Sequence, residues 1–198
     1  MMNSAATQLK DIATIYDILV PTSIAVNIDQ ENQQKVGSNS QEDTFAYVNG
    51  HLDASINQVA VLDALKNHNS EYLYFKTDHH WTTSAAYLAF QQFAEVAGLD
   101  TSAVTYEKMP VTDQFQGTLS AKSGCRTGVK EEIDVFIPKK NENTTQEQVS
   151  SIVEYTDDQK KTGSFYNTDK LDQRNAYEVF FGGNHGLLKI KTPTTENK

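Results

Sequence analysis

The chain has 198 residues, of which 38% are hydrophobic, 22% charged and 10% aromatic, and its formal net charge is −9. This composition predicts a folded domain with its own core and argues against disorder. The acidic balance argues against nucleic-acid binding through a basic face and against docking on an anionic membrane surface. With Cys125 as the single cysteine, no internal disulfide can form.

The N-terminal sequence predicts neither a leader nor a membrane span. It has no basic start followed by an apolar core, and no apolar run in the chain approaches the roughly 18 residues of a spanning helix. The doubled methionine at the start indicates a piece cut from a longer sequence. A targeting segment, if the longer sequence had one, would have been removed.

Predicted strands and helices alternate through residue 99. Residues 12–20 form an apolar run closed by Pro21, which predicts a buried parallel strand. We expect a helix over 41–56, a second buried strand over 57–65 and a third over 70–78. A helix follows: Thr82 or Thr83 is its N-cap, Gly98 its C-terminal glycine, and its core face comprises Ala86, Phe90, Phe93, Ala94 and Ala97. The alternation predicts an α/β sheet.

The second half is richer in β-like segments. Short strand-like pieces surround a Gly/Ser/Thr-rich loop over 115–128, and residues 138–150 predict a polar turn. Further strands are expected at 151–156 and 164–167, and a strand, a Gly-Gly-Asn-His-Gly loop and a last strand over 179–192. We predict one domain over 1–198 with a β-rich insertion at 104–160.

The segment Asp78, His79, His80 and Trp81 lies where the third predicted strand meets the helix. In an extended strand Asp78 and His80 would share a face about 6.6 Å apart, with His79 on the other face. A carboxylate that accepts from one ring N–H leaves the second nitrogen of a histidine free as a general base. Ligand sites in open α/β sheets lie at the carboxyl ends of strands. We expect Trp81 to pack over the corner.

Two other readings of this segment stay open. The strand end would cap itself with polar groups that have no catalytic role. Alternatively the residues would bind a metal, for which His185, His51 or Asp63 would have to supply further ligands. No Cys or second His pair has a recognised metal spacing, so we predict no metal site.

Several spaced motifs resemble one bacterial family. In chain order they are "ILVPTS", "YFKTDHHWTTSAAYLAF", "FQGTLSAKSG", "SFYNTDKL" and "FFGGNHGLLKIKT". The sequence is similar to the DHHW protein family, related to the alginate O-acetyltransferase-like branch of the SGNH hydrolase superfamily. The resemblance implies an SGNH-hydrolase-like (flavodoxin-like) fold, a three-layer parallel sheet with the small β-rich insertion.

The resemblance also implies roles for individual residues. Asp78 would be the orienting carboxylate and His80 the base of a Ser-His-Asp triad, with His79 structural or on the substrate side. The N–H of Gly183 and the amide of Asn184 would form an oxyanion hole. The same loop is equally typical of a tight turn between strands.

The resemblance implies a serine nucleophile in a segment after the last strand, which the chain, ending at Lys198, does not reach. Within the chain Ser23, Ser123 and Cys125 are the alternatives, and none has a Gly-x-Ser-x-Gly context. We therefore expect a sheet that is incomplete at the C-terminus, a fragment that is inactive, and an open sheet edge through which copies would associate.

The resemblance implies an acyltransferase or esterase acting on O-acetyl groups of cell-surface polysaccharide, outside the cytoplasm, with no cofactor. The alternatives are a non-catalytic carbohydrate-binding or polysaccharide-assembly module and a metal-dependent hydrolase centred on Asp78, His79 and His80. A glycan is the expected partner, and nucleic acid is not.

Overall fold

The computed structural model describes residues 1–102, 104–124, 128–139, 152–155, 161–173 and 175–191. The chain forms two compact units. The first unit comprises Met1–Phe75 and His79–Asp100, and the second comprises Lys76–Asp78 and Thr101–Lys198. Residues 76–78, at the end of the third predicted strand, thus belong to the second unit, whereas Phe75 before them and His79 after them belong to the first.

The first unit is a short parallel sheet with helices. Its elements are α1 Met2–Leu9, β1 Ile15–Ile18, α2 Ser23–Asn27, α3 Gln30–Lys35, α4 Gln41–Gly50, β2 Ile56–Val59, α5 Val61–Asn67 and α6 Thr83–Ala97. Strands β1 and β2 pair in parallel, with Ile15 opposite Ile56 and Ile18 opposite Val59. The first two predicted strands therefore exist and pair, and the helix predicted over 41–56 is α4, which ends at Gly50.

The core of the first unit lies between α5 and α6. Val61, Leu65 and Leu73 are fully buried there, and α6 adds Ala85 and Ala89 to the same cluster. Helix α6 begins at the predicted cap, because the Oγ1 of Thr82 accepts from the N–H of Ala85. It ends at Gly98, whose φ of 64° is the left-handed conformation that glycine adopts freely.

Three local predictions in this unit are wrong. The apolar run 57–65 is a strand only to Val59, because Val61, Leu62 and Leu65 then recur at helical spacing and are buried as one face of α5. The predicted strand at 70–78 is an isolated antiparallel bridge between Tyr74 and Trp81, around a bend over 76–80. The core face of α6 is wrong in part: Ala94 is buried and Phe93 packs against the core as predicted, but Ala85 and Ala89 are buried as well and Phe90 is exposed.

The second unit is built on antiparallel strands. Its elements are β3 Thr105–Phe115, α7 Thr118–Ser123, β4 Glu131–Lys139, β5 Ile152–Tyr155, β6 Lys161–Thr162 and β7 Leu188–Lys191, with 3₁₀ turns at Thr168–Lys170 and Ala176–Val179. Strands β3 and β4 form a long hairpin, and β5 lies between β6 and β7. Phe115, Ile133, Val135 and Val179 are buried.

The sequence predicted the strands of this unit better than its turns. β5 and β7 confirm two predicted strands, but the Gly/Ser/Thr-rich segment contains helix α7. The strands predicted at 164–167 and before the Gly-Gly-Asn loop reduce to a bridge between Tyr166 and Phe180 beside a 3₁₀ turn. Most of the predicted polar turn, residues 140–150, lies outside the described residues.

The described strands form one parallel pair and two antiparallel sheets, so the fold is mixed α/β with small sheets. The three-layer parallel sheet stays a prediction. In the part of the chain that the structure describes, no helix combines the length and the apolarity needed to cross a bilayer.

Candidate active site

The Asp78 carboxylate accepts two hydrogen bonds from Thr118, the first residue of α7. Oδ2 of Asp78 accepts from the N–H of Thr118 at 2.6 Å and from its Oγ1 at 2.9 Å. Asp78 is 3% exposed. Two donors on one buried oxygen fix the orientation of the carboxylate, which is what an orienting group in a catalytic pair requires.

The backbone of Gly117 lies against the same carboxylate. A Cβ built on Gly117 would stand 2.7 Å from Cγ of Asp78, closer than any real side chain approaches. The φ of Gly117 is −85°, so glycine is required here by the close approach and not by backbone conformation. Gly117 is therefore part of the site, because a side chain in its place would displace Asp78.

A buried carboxylate on β4 holds the two residues before Asp78. Glu131, which is 6% exposed, accepts from the N–H of Lys76 at 2.6 Å and from the N–H of Thr77 at 2.8 Å. The Oγ1 of Thr77 also donates to Glu131. This hydroxyl oxygen of Thr77 in turn accepts from the N–H of Gly117 at 3.0 Å. Glu131 thus satisfies backbone donors that would otherwise be buried without partners.

Helix α7 completes this attachment. The carbonyl oxygen of Thr77 accepts from the N–H groups of Leu119 at 3.0 Å and Ser120 at 3.1 Å. Residues 76–78 are therefore attached to the hairpin and to α7 by backbone and side-chain bonds alike. We refer to Lys76, Thr77, Asp78, Gly117, Thr118 and Glu131 as the Asp78 cradle.

Tyr177 lies within the electrostatic reach of the cradle. Burial, and next the negative charge of Asp78, raise the pKa of the Tyr177 hydroxyl to about 12. Its ring lies 6.5 Å from that of Phe115 and 5.1 Å from that of Phe180, measured between centroids. The phenol therefore stays protonated at neutral pH, as a neutral polar group beside an anion.

The two histidines lie side by side in the first unit. Their ring centroids are 3.9 Å apart with the planes tilted by 36°; His79 is exposed and His80 half-buried. The expectation that strand alternation separates them is wrong, because residues 76–80 bend and do not extend. Trp81 packs partly buried against the core of this unit, as predicted.

One geometric observation supports a metal site at Asp78, His79 and His80. The consecutive residues Asp78, His79 and His80 each offer a ligand atom, and these atoms lie within 4.8 Å of one another. Two of the three proposed further ligands have partners close by in the chain: a ring nitrogen of His51 lies 2.7 Å from the carbonyl oxygen of Tyr47, and one of His185 lies 2.9 Å from that of Phe181. The third, Asp63, is exposed on α5.

The Gly-Gly-Asn loop lies in the second unit as a tight turn. The N–H of Gly183 donates to the carbonyl oxygen of Phe180 at 3.3 Å, and the φ of Gly183 is 115°. A Cβ there would meet Glu178 at 3.3 Å. Asn184 is exposed. The oxyanion role of Gly183 and Asn184 stays a prediction, and in this conformation the Gly183 donor is used within the turn.

Two of the three candidate nucleophiles, Ser23 and Ser123, lie among the described residues. Ser23 is the first residue of α2, next to the cap residue Thr22, and is half-buried. Ser123 is the last residue of α7, is exposed, and donates from its Oγ to the carbonyl oxygen of Ser120 at 3.3 Å. Cys125 lies outside the described residues. None of these positions favours one candidate over the others.

Sequence reasoning found Asp78 and the histidines but missed the residues that hold them. Glu131 and Thr118 lie 54 and 40 residues after their partners. A sequence signal existed for Gly117 and Thr118, which stand in one of the motifs of the family resemblance, but not for Glu131. A buried glutamate at the start of a strand gives no sign of its partner in a single sequence.

Three solved structures are similar to this chain. A DHHW family protein from Eubacterium siraeum matches with a TM-score of 0.72 and 24% identity, over 99% of this chain and 64% of that one. Bacillus cereus PatB1 with a sulfonyl adduct matches with a TM-score of 0.69 and 18% identity, over 100% and 67%. A second Bacillus cereus PatB1 structure matches with a TM-score of 0.65 and 16% identity, over 96% of this chain and 66% of that one.

At these identities the similarity shows the fold alone, and the chain spans slightly less than two thirds of the length of the Eubacterium siraeum protein. A search of curated proteins found no match. The profile described as DHHW protein matches residues 1–197, which include the Asp-His-His-Trp segment held by the cradle. The chain belongs to the DHHW protein family.

Proposed function

We propose that the protein is an SGNH-like acyltransferase or esterase that acts on O-acetyl groups of a cell-surface polysaccharide outside the cytoplasm. The observation that carries the proposal is the fixed carboxylate of Asp78, which accepts two hydrogen bonds from Thr118 and precedes the half-buried His80 by two residues. A buried, rigidly held Asp beside a His is the arrangement that orients a catalytic base. The similarity to PatB1 supports the fold that the proposal needs.

Asp78 and His80 have separate roles in the proposed reaction. Asp78 orients the imidazole of His80, and His80 takes the proton of a serine hydroxyl, which the family resemblance assigns to a segment outside this chain. The serine oxygen attacks the acetyl carbonyl, and the sugar oxygen leaves with the proton from His80. Water or a second sugar hydroxyl then releases the acetyl group, which gives hydrolysis or transfer.

The test is acetyl-ester hydrolysis by the full-length parent protein and its variants. We expect His80→Ala to lower kcat/KM by about 10²–10⁴-fold, the usual contribution of a general base. Asp78→Asn should lower it as well, because the amide no longer orients the imidazole. The control is His51→Ala, the same change at an exposed histidine that contacts a carbonyl on its own helix. Activity that survives His80→Ala would contradict the proposal.

The outcome also separates the alternative functions. Glycan binding that persists in Asp78→Asn and His80→Ala, with no ester hydrolysis by the full-length protein, would support a non-catalytic carbohydrate-binding module. The 4.8 Å cluster of ligand atoms on Asp78, His79 and His80 supports the metal-dependent hydrolase as a second candidate. Stoichiometric zinc that disappears in His79→Ala, together with activity abolished by chelator and restored by zinc, would favour that candidate over the triad.

A further inference from the structure

We propose that a cleft on the second unit, next to the Asp78 cradle, binds neutral sugar residues of a glycan chain. The inference rests on the proposed function in that it assigns the acceptor subsite of that reaction. The cleft has a volume of about 860 Å³, within the range of small-molecule sites. It lies between the end of the β3 strand, helix α7 and the segment around residues 171–176.

The wall of the cleft is polar and almost uncharged. Its side chains include the carboxamides of Gln114, Gln116, Gln173 and Asn175, and Lys122 is the one charged residue among the described lining residues. That is unusual in a chain with 26 acidic and 17 basic residues. Carboxamides both donate and accept, as sugar hydroxyls do, so each can pair with a neutral sugar without leaving a charge unpaired.

Several of these amides are already fixed by the protein. The Nε2 of Gln116 donates to the carbonyl oxygen of Val129 at 3.1 Å, and the Nδ2 of Asn175 donates to Glu178 at 3.0 Å. Each bond orients one amide plane before a ligand arrives. Groups fixed in advance lose less conformational entropy on binding, which favours recognition by several weak hydrogen bonds.

The cleft also offers an apolar surface for the carbon faces of a sugar ring. Leu171 and Ala176 lie in its wall with the carboxamides. A mixed lining of this kind suits a ligand that has hydroxyls at its edge and C–H groups on its face. A small inorganic anion or a divalent cation would leave most of this wall unused.

Thr118 connects the cleft with the candidate active site. Thr118 lines the cleft, and its N–H and Oγ1 both donate to Asp78. Gly117, whose backbone lies against Asp78, lines the cleft as well. A sugar bound in the cleft would therefore contact the residues that hold the Asp78 carboxylate.

The test is an NMR titration of the 198-residue chain with two neutral probes, chitotetraose and cellotetraose, and one anionic probe, tetragalacturonate. We expect at least one neutral probe to shift the amide signals of Gly117, Thr118 and Ser120 saturably, and the anionic probe to bind at least about tenfold more weakly, a difference of about 1.4 kcal/mol. The double variant Gln116→Ala, Gln173→Ala should weaken the neutral probe by a similar factor. Gln91→Ala, on the exposed part of α6, is the matched control.

The cleft proposal would be overturned by the lack of a saturable shift with either neutral probe, or by shifts confined to other parts of the chain. Tighter binding of tetragalacturonate would also overturn it. Failure of the proposed reaction looks different. If His80→Ala leaves the ester hydrolysis of the full-length protein unchanged and the chain still binds a neutral probe, the proposed reaction is wrong and the cleft proposal stands. His80-dependent hydrolysis with no probe binding contradicts the cleft alone.

Discussion

Thr118 gives both of its donors, the backbone N–H and the side-chain Oγ1, to a single oxygen of Asp78. The two residues are 40 positions apart in the chain and belong to the same compact unit. This relationship ties Asp78 to the start of α7. It also means that the orientation of Asp78 depends on a side chain that takes no part in the proposed chemistry.

The first prediction concerns the Thr118 hydroxyl. Thr118→Val keeps the shape and the N–H donor but removes one hydrogen bond to a carboxylate, which is worth about 1.5–3 kcal/mol. We expect the free energy of unfolding, measured by urea denaturation of the chain, to fall by an amount in that range. Thr118→Ser keeps the donor and should lose much less. A loss in Thr118→Ser with little loss in Thr118→Val would show that methyl packing, and not the hydrogen bond, is what matters.

The second prediction concerns Gly117. Gly117→Ala places a Cβ 2.7 Å from Cγ of Asp78, so the two backbones must separate. We expect a loss of about 1–3 kcal/mol in the free energy of unfolding, typical of overpacking, and a shift of the Thr118 amide signal. Gly50→Ala is the matched control, because nothing lies within 4 Å of a Cβ there and an alanine at the end of α4 is tolerated. A Gly117→Ala protein as stable as Gly50→Ala would contradict the close approach.

The sequence predicted well what depends on neighbours in the chain. The cap at Thr82, the glycine at Gly98 and the apolar runs that pair as β1 and β2 follow from local chemistry and hydrophobic pattern. It failed where a tertiary contact overrides the pattern. The run at 70–78 has the alternation of a strand, yet Glu131 captures the N–H groups of Lys76 and Thr77 that a neighbouring strand would otherwise bind.

The candidate site was predicted only in part for the same reason. Asp78 and His80 stand in a short motif whose residue types already indicate a base and its orienting group. Thr118 and Glu131 are ordinary residues whose importance comes from where the hairpin places them. The wrong prediction for His79 follows from the wrong strand, because in a bend adjacent side chains are free to lie on the same side.

The third prediction concerns Glu131. Glu131→Gln replaces one acceptor oxygen by an NH₂ group that faces N–H and O–H donors, so at least one buried donor loses its partner. That costs about 1–3 kcal/mol, and we expect this loss by urea denaturation together with faster amide exchange at Lys76 and Thr77. The control is Glu132→Gln, one residue along. Repulsion by Asp134 raises the pKa of the exposed Glu132, so removing its charge should not destabilise the fold.

If Glu131 positions Asp78 through its hydrogen bonds to Lys76 and Thr77, replacing Glu131 must also change the rate of the proposed reaction. If the proposed reaction holds, Glu131→Gln in the full-length protein should lower kcat of ester hydrolysis more than it raises KM, because the variant displaces Asp78, the proposed orienting carboxylate, and leaves the lining of the proposed sugar cleft unchanged. Glu131→Asp, which keeps two acceptor oxygens on a shorter side chain, should recover part of the loss. A variant that loses stability at unchanged kcat would show that Glu131 is structural only.

The fourth prediction is a loss of stability at alkaline pH that depends on two tyrosines. Burial and the Asp78 charge raise the pKa of Tyr177 to about 12, and burial raises that of Tyr74, whose hydroxyl donates to the carbonyl oxygen of Pro21, also to about 12. The unfolded chain releases these protons near the ordinary value of about 10. Between about pH 10 and 12 the folded state therefore binds more protons than the unfolded state, and the free energy of unfolding must fall as the pH rises.

The measurement is urea denaturation from pH 8 to 12, with phenolate absorbance followed in parallel. Tyr177→Phe and Tyr74→Phe each remove one phenol with a raised pKa, so each variant should lose less stability over this range than the wild-type chain. Burial raises the pKa of Tyr166 as well, and Tyr166 is present in every variant. Tyr47→Phe, at an exposed tyrosine, is the control and should follow the wild type. A wild-type curve that is no steeper than that of the Tyr177→Phe, Tyr74→Phe double variant would show that neither phenol is held protonated by the fold.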